Sequence, residues 1–421
     1  MTIAVEAERR ALGSSPRLAR AMTRIATVGD QLLVAISNFG LTLSISRAYG
    51  AEEIAGYGIG LSLALLILGL QRQAITIPLA LQNPSRVLRR RGGIFAQHLL
   101  VLGIVLMLGA ATLLFDAFAH LDGLPLLVLA SFATCLLIYA EIEFARAMLV
   151  KLGKPLFLLG SAAWYAVVSG GVSVAALFHV IGYLTLLGIV VAAMLMHAAV
   201  FGLIVGRVDL RQGARLLIAD IRRYGFWAFV ATLTYSGYTH FPLLILGAVA
   251  EPIQAAFFVA TRSLMQPLQI LLRGLDIADK SIFAASDAPP HSPRAFALIM
   301  RQAIPYAAAA ALFCIIIFYD ADGLIALTYG EKFAQAGPSL IAWTPAFFLL
   351  SVCLPFESLV YARQEFRKYY LIRTIGSAIA LAATLPMIWA WGSVGAIIAC
   401  GIGNLIAMCG TLHLLWRGSR P

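Results

Sequence analysis

The chain has 421 residues, of which 61% are hydrophobic and only 12% charged, and its mean hydropathy is +0.88. Soluble globular domains carry about 25% charged residues, so the composition excludes that class and indicates a polytopic membrane protein. The formal net charge of +11 is attributed to membrane topology and to contact with anionic membrane lipids. We therefore expect membrane lipids as partners and no nucleic acid.

About twelve apolar segments are each long enough to cross a hydrocarbon core of about 30 Å as a helix. The predicted fold class is an all-α polytopic membrane protein, with about twelve transmembrane helices in two six-helix bundles around a central cavity. The predicted domains are an N-terminal bundle at 1–206, a cytoplasmic linker at 207–223 and a C-terminal bundle at 224–421. The predicted segments are 29–48, 57–81, 94–115, 124–148, 156–178, 181–205, 226–249, 253–272, 299–319, 337–361, 369–391 and 394–416.

The first apolar run carries a stripe of polar residues, which a helix that only anchors the chain does not need. At 100° per residue, Asp30, Ser37, Asn38 and Ser44 share one half of the helix surface, and Leu33, Ile36 and Leu43 share the other. We expect the apolar half to face lipid or packed helices. The polar half is expected to face water, which makes Asn38 a candidate substrate-binding residue.

The basic residues predict the orientation. If alternate connections and the two termini are cytoplasmic, all of the 31 Lys and Arg lie on that side except Arg47, Arg72, Arg262 and Lys332. Because cytoplasmic loops are enriched in Lys and Arg, both termini are predicted to be cytoplasmic. A weak internal repeat agrees with two similarly oriented halves, since Ala51–Gly56 resembles Ala250–Ala255 at an equivalent predicted outer turn.

Three arginines fall within or beside apolar segments, where an unpaired charge costs several kcal/mol. Arg262 follows Glu251 by eleven residues, roughly 16 Å into the bilayer, and has Gln266 nearby. It is either an anion contact in the central cavity or half of a structural ion pair. Arg72 and Arg47 are weaker candidates, because either side chain could extend to the membrane surface. Guanidinium groups would favour a diphosphate-like head, so Arg262, Arg72, Arg47, Asn38 and Gln266 form the predicted substrate-binding set.

The candidate ion-coupling residues are Asp30, Glu141 and Glu357. Asp30 is predicted in the first turn of its helix, where the helix dipole offers an alternative explanation. Glu141 and Glu357 have no basic residue three or four positions on, whereas Glu143 is expected to pair with Arg146. The histidines, His98 and His197 among them, show no metal-ligand spacing and are interpreted as structural. The five cysteines lie in apolar segments without a CxxC pair, so neither a metal site nor a disulfide is expected.

Several motifs resemble bacterial O-antigen and exopolysaccharide flippases, the polysaccharide transport family of the multidrug/oligosaccharidyl-lipid/polysaccharide exporter superfamily. They are Gly29–Phe39, Ser46–Gly50 and Gly56–Gly58 near the start, and Trp391–Ile397 before the last segment. The resemblance implies an inner-membrane protein that moves a polyprenyl-diphosphate-linked oligosaccharide to the outer leaflet. It also implies alternating access between two bundles, a proton or sodium gradient as the driving force, and other polysaccharide-assembly proteins as partners.

Three alternatives stay open beside the flippase. One is a lipid-packing or scaffold protein without transport, which would leave the polar stripe of the first run unexplained. A multidrug exporter of the same superfamily would have acids without arginines in its cavity. A membrane glycosyltransferase or glycan polymerase would need a sizeable outer loop with catalytic acids, and the predicted outer loops are short. The sequence also contains no Walker-type GxxxxGK[ST] motif, so we expect neither an enzyme nor a nucleotide or other cofactor.

Overall fold

The structure is a computed structural model that describes residues 16–76, 79, 84–119, 123–206, 208–269, 272, 293–362 and 366–417. Within these ranges the chain is helical and contains no strand. The helices are α1 Pro16–Ala48, α2 Ala51–Gln71, α3 Pro84–Ala119, α4 Leu124–Leu152, α5 Pro155–Leu177, α6 Tyr183–Val205, α7 Leu210–Thr239, α8 Phe241–Val249, α9 Pro252–Leu264, α10 Pro293–Tyr319, α11 Ala321–Tyr329, α12 Gly337–Ala362 and α13 Phe366–Arg417. A π-helical turn at Arg72–Thr76 continues α2, and a 3-10 helix at Glu331–Ala336 precedes α12.

The predicted twelve-helix, all-α fold is confirmed. Helices α1 to α6 supply the first six crossings, α7 and α8 form one crossing interrupted at His240, and α9, α10 and α12 supply one each. The last two crossings both lie in α13, because Gly392 breaks this 52-residue helix with φ 58° and ψ −128°. Eight helices among the described residues are individually long and apolar enough to span a membrane. Arg9 and Arg10, two of the basic residues predicted to be cytoplasmic, lie outside the described residues. The predicted connection at 273–292 also lies outside them.

Packing within the first bundle brings α2 along α4 and α1 along α5, while α6 lies against α4 and α5. Part of the predicted linker is helical, because α7 already begins at Leu210. These first turns of α7 pack on α3, where Gln97 donates a hydrogen bond of 2.8 Å to Asp220. The chain between the two bundles is therefore held against the first bundle.

The repeated motif lies at the same place in both halves. Helix α2 begins directly after Gly50 and α9 begins directly after Glu251, and both capping residues have extended backbone. The two helices then pack against each other across the bundles. At their contact a Cβ on Gly58 would lie 1.9 Å from Val259 Cγ2, so only glycine permits this approach. The N-terminal halves of α2 and α9 are thus closed together in this structure.

The break at Gly392 leads to a stability prediction. An L-residue at this φ and ψ is strained by about 1–2 kcal/mol, and its Cβ would lie 2.5 Å from Gln254 Oε1, which accepts a hydrogen bond from Ser393 N. We expect Gly392→Ala to lower the midpoint of thermal unfolding in detergent. Gly188→Ala on α6 is the matched control, because its added Cβ meets no atom within 4 Å. Equal midpoints for the two variants would contradict the prediction.

Candidate functional site

The polar stripe of α1 is buried against α5 and does not face water. Asn38 accepts a hydrogen bond of 2.6 Å from the Tyr165 hydroxyl, and Ser44 donates one of 3.1 Å to Ser173. The expectation of a water-facing stripe is therefore wrong for this conformation, because α5 supplies hydroxyl groups that satisfy the stripe inside the bundle. In this structure Asn38 lies on the contact between α1 and α5.

Asp30 and Arg72 both have partners on α4. The predicted helix start near residue 29 is wrong: α1 begins at Pro16, so Asp30 lies well inside the helix and pairs with Arg146 instead of capping a first turn. Arg72, at the start of the π-helical turn, binds Glu143 through two N–H groups, with 3.0 Å between Nε and Oε2. The expected pair of Glu143 with Arg146 does not form, because these two side chains face different neighbouring helices.

Glu141 on α4 is the centre of a buried chain of hydrogen bonds. Its Oε2 lies 2.8 Å from His98 Nε2 on α3, and its Oε1 lies 3.2 Å from His197 Nδ1 on α6. Gln71 on α2 approaches His98 Nδ1 at 3.2 Å, and Ser161 on α5 approaches His197 Nε2 at 2.6 Å. Five helices therefore contribute one polar side chain each. We call this set the histidine chain.

The histidine chain is closed at one end and slightly open at the other. The side chains of Glu141 and His98 are 0% exposed, whereas that of His197 is 10% exposed. The His98 ring also stacks on Phe144 with 3.9 Å between centroids, which fixes its orientation. A buried carboxylate requires hydrogen-bonding partners, and here both of its oxygens have one. Each imidazole has two ring nitrogens, so the five side chains form one continuous path of hydrogen bonds from Gln71 to Ser161.

Glu357 on α12 pairs with Arg373 on α13. The guanidinium of Arg373 also stacks over two aromatic rings, with its Cζ 4.8 Å from the centroid of Tyr369 and 5.8 Å from that of Tyr238. This cluster ties α12, α13 and α7 together inside the second bundle. Sequence spacing gave no indication of it, because the partner is sixteen positions away on another helix.

Arg262 on α9 lies beside the helix break between α7 and α8. Its Nη1 donates a hydrogen bond of 3.0 Å to the carbonyl oxygen of Thr239, and no carboxylate among the described residues is within ion-pair distance of it. The side chain is partly exposed. Gln266 follows in the short helical segment after α9 and is also partly exposed. Arg262 is thus a charge at membrane depth that is bound to a backbone carbonyl.

Arg47 and Lys332 connect the two bundles at the predicted outer end. Arg47 at the end of α1 donates to the carbonyl oxygens of Leu327 and Thr328 at the end of α11. Lys332 in turn donates to the carbonyl oxygen of Tyr49, beyond the end of α1. We call these contacts the outer seam. Cations are favoured there because each meets carbonyl groups at or near a helix C-terminus.

The sequence matches no protein-family model and no curated protein. The fold does match solved structures. A lipid II flippase, MurJ, in an inward closed conformation shares 12% identity over 94% of this chain and 87% of its own, with a TM-score of 0.68. An inward-facing multidrug resistance MATE family transporter of the MOP superfamily shares 15% identity over 94% of this chain and 100% of its own, with a TM-score of 0.69.

The chain shares its helical fold with these solved transporter structures. An outward-facing MATE family transporter of the MOP superfamily is also similar, at 15% identity over 96% of both chains and a TM-score of 0.58. Together with its apolar helices, the fold makes this chain a multi-pass membrane protein. The similar structures are transporters and not enzymes.

The cluster of Glu357 and Arg373 gives a second stability prediction. Removing one partner of a buried ion pair leaves an uncompensated charge and typically costs about 3–5 kcal/mol, whereas replacing both by apolar residues is close to neutral. We expect Glu357→Leu to unfold at a clearly lower temperature than the wild type in detergent. The double variant Glu357→Leu/Arg373→Met should recover most of that loss. A double variant no more stable than the single one would show that Arg373 does not depend on Glu357.

Proposed function

We propose that this chain is a flippase of the bacterial cytoplasmic membrane, with both termini in the cytoplasm. Its cargo is a polyprenyl-diphosphate-linked oligosaccharide for O-antigen or exopolysaccharide synthesis, which it moves from the inner to the outer leaflet by alternating access. The fold supports this proposal, because one of the similar structures is a lipid II flippase. The motifs near the start of α1 and α2 support it too.

The observation that carries the proposal is the state of Arg262. A guanidinium has five N–H donors, and among the described residues Arg262 uses one of them, toward the Thr239 carbonyl. The remaining donors and the permanent charge suit phosphate oxygens, which guanidinium groups bind in a planar, two-point geometry. A cationic drug would be repelled by the same group. Arg262 with the neighbouring Gln266 is therefore the proposed contact for the diphosphate.

The other predicted substrate residues take part at different stages of the cycle in this proposal. Arg72 is 45% exposed and can exchange Glu143 for a phosphate oxygen when the cargo enters. Arg47 and Asn38 are engaged elsewhere in this conformation and would contact the cargo after the outer seam has opened. The seam itself, and TM-scores of 0.68 and 0.69 with inward structures against 0.58 with an outward-facing one, support an inward-directed starting state.

Glu141 is the proposed ion-coupling residue, with a proton as the ion. Asp30 and Glu357 each pair with an arginine, which carries a permanent charge and does not exchange protons. Among the described residues the partners of Glu141 are two histidines, a side-chain type that, unlike arginine, can exchange a proton. Glu143, two residues after Glu141 on α4, binds Arg72. Proton transfer at Glu141 is thereby connected to a proposed substrate contact.

The second candidate function is multidrug export. The similarity to multidrug resistance MATE family transporters favours it as much as the MurJ likeness favours the flippase. The two functions differ in the charge of the cargo, and Arg262 is the residue that distinguishes them. Substituting it should impair transport of a diphosphate-linked lipid but should improve transport of a cationic dye.

Arg262→Ala tests the proposed cargo. Loss of a charge-assisted contact of about 1.5–3 kcal/mol should slow flipping of a fluorescent polyprenyl-diphosphate oligosaccharide by about 10- to 100-fold in proteoliposomes. Arg86→Ala, at an exposed position at the start of α3, is the control and should flip normally. Unfolding midpoints of both variants report whether the fold is intact. Full flipping activity in a folded Arg262→Ala protein would reject the proposed diphosphate contact.

Glu141→Gln tests the coupling. The amide keeps the shape of the carboxyl group but cannot exchange a proton. A pH gradient of either direction should therefore no longer accelerate transport. Glu331→Gln, at an exposed position of the 3-10 helix, should retain the wild-type response. A sodium gradient applied to the same vesicles distinguishes the two ions. An unchanged response to the pH gradient in Glu141→Gln would exclude the histidine chain from coupling.

A further inference from the structure

A cavity of about 540 Å³ lies between α5 and α6, with the end of α4 behind it. Its size is within the range of about 300–1,000 Å³ that is usual for small-molecule sites. The walls are almost entirely apolar, and the two polar residues in it are Ser161 and His197, the outermost pair of the histidine chain. The apolar walls are formed by Leu149, Leu156, Phe157, Gly160, Trp164, Met196, Val200, Phe201 and Ile204.

The cavity opens on the membrane-facing surface of the first bundle. Phe157 and Val200 on its two walls are 48% and 52% exposed, and both belong to helices that qualify as membrane spans. The main contacts of α5 and α6 are with helices of their own bundle. The opening therefore faces lipid and not the second bundle, so the cargo path between the bundles does not pass through it.

Positive charge lies at one end of the cavity, which is the predicted cytoplasmic end. Lys154 precedes the first residue of α5, and its ammonium is 5.1 Å from the centroid of the Phe157 ring in the cavity wall. Gly206 directly follows α6, and the guanidinium of Arg91 lies beside it. A Cβ added to Gly206 would be 3.5 Å from Arg91 Nη2. Lys154 caps the N-terminus of α5, which adds the positive end of a helix dipole, whereas Arg91 lies at the C-terminus of α6.

We infer that this cavity binds one hydrocarbon chain of an anionic phospholipid of the inner leaflet. The phosphate of the headgroup lies against Lys154 and Arg91, and the chain fills the apolar space as far as Ser161 and His197. Charge complementarity at the mouth identifies an anionic headgroup, since cations beside the cytoplasmic leaflet attract such lipids. The inference does not depend on the proposed cargo, because the lining residues belong to helices whose main contacts lie within the first bundle.

Occupation of the cavity would also affect the histidine chain. Two histidines contact Glu141, and of these His197 has exposed surface. That surface lines the cavity. A bound hydrocarbon chain covers it and keeps water away from the imidazole. The lipid would therefore close the lipid-side entrance of the chain of hydrogen bonds that leads to Glu141.

Trp164 provides a direct readout, because it lines the cavity and bromine atoms on a lipid chain quench tryptophan fluorescence on contact. The full-length protein is reconstituted in phosphatidylcholine vesicles that contain either brominated phosphatidylglycerol or brominated phosphatidylcholine at the same mole fraction. The difference between wild type and Trp164→Phe isolates the Trp164 signal. We expect at least about twofold stronger quenching by phosphatidylglycerol, and Lys154→Gln should remove this preference.

Two glycines of α5 form a matched pair of variants, because a Cβ on either meets no atom within 4 Å. Gly160 lines the cavity and Gly170 does not. Gly160→Leu should fill the space and abolish most of the quenching, whereas Gly170→Leu should leave it unchanged. Equal quenching by both lipids, or quenching that survives Gly160→Leu, would overturn the inference. Displacement by unbrominated polyprenyl phosphate at a lower mole fraction than unbrominated phosphatidylglycerol would also overturn it, by assigning the cavity to the cargo chain.

Discussion

The requirement that a charge inside a membrane-spanning bundle must have a partner governs this structure. Buried or partly buried carboxylates on the described helices pair with an arginine or with histidines on a different helix. Asp30, Glu141, Glu143 and Glu357 thereby connect α1, α2, α3 and α6 to α4, and α12 to α13. Lipid tails offer no hydrophobic driving force for helix association, so such contacts determine which helices are neighbours.

Cations at the helix break and between the bundles are bound differently. Arg262 contacts a backbone carbonyl within the second bundle, and Arg47 and Lys332 contact carbonyls across the two bundles. A neutral carbonyl binds a cation less strongly than a carboxylate does, and water or a phosphate can replace it. Ion pairs therefore hold each bundle together, while the contacts of the outer seam are weaker and can be replaced. This difference in strength agrees with the alternating access proposed above.

Much of the fold could be predicted from the sequence, because the hydrophobic segments and the one-sided distribution of basic residues are local properties. The twelve crossings follow from them, and the structure confirms them. The partners of buried charges could not be predicted, since they depend on which helix faces which. The local pair of Glu143 with Arg146 was wrong for this reason, and so was the water-facing stripe of α1, which α5 covers.

The histidine chain is the clearest example of contacts that could not be predicted from the sequence. His98 and His197 are ninety-nine positions apart in the chain, and neither has a ligand-like spacing with Glu141. Their convergence becomes visible only when α3, α4 and α6 are packed together. Helix α1 also begins at Pro16, well before the apolar run, because the polar residues that precede this run are helical too. That moved Asp30 from a predicted helix start into the interior of a helix.

The most direct test of this account is the distance between the outer ends of the two bundles, measured by double electron–electron resonance. Spin labels at Glu52 on α2 and Glu331 on the 3-10 helix, both exposed, report on the outer seam in a chain whose five native cysteines have been replaced. The account predicts a short distance at rest, and a second, longer distance when Arg47 and Lys332 are both substituted by alanine or when the pH gradient is imposed. A single unchanged distance under all of these conditions would contradict it.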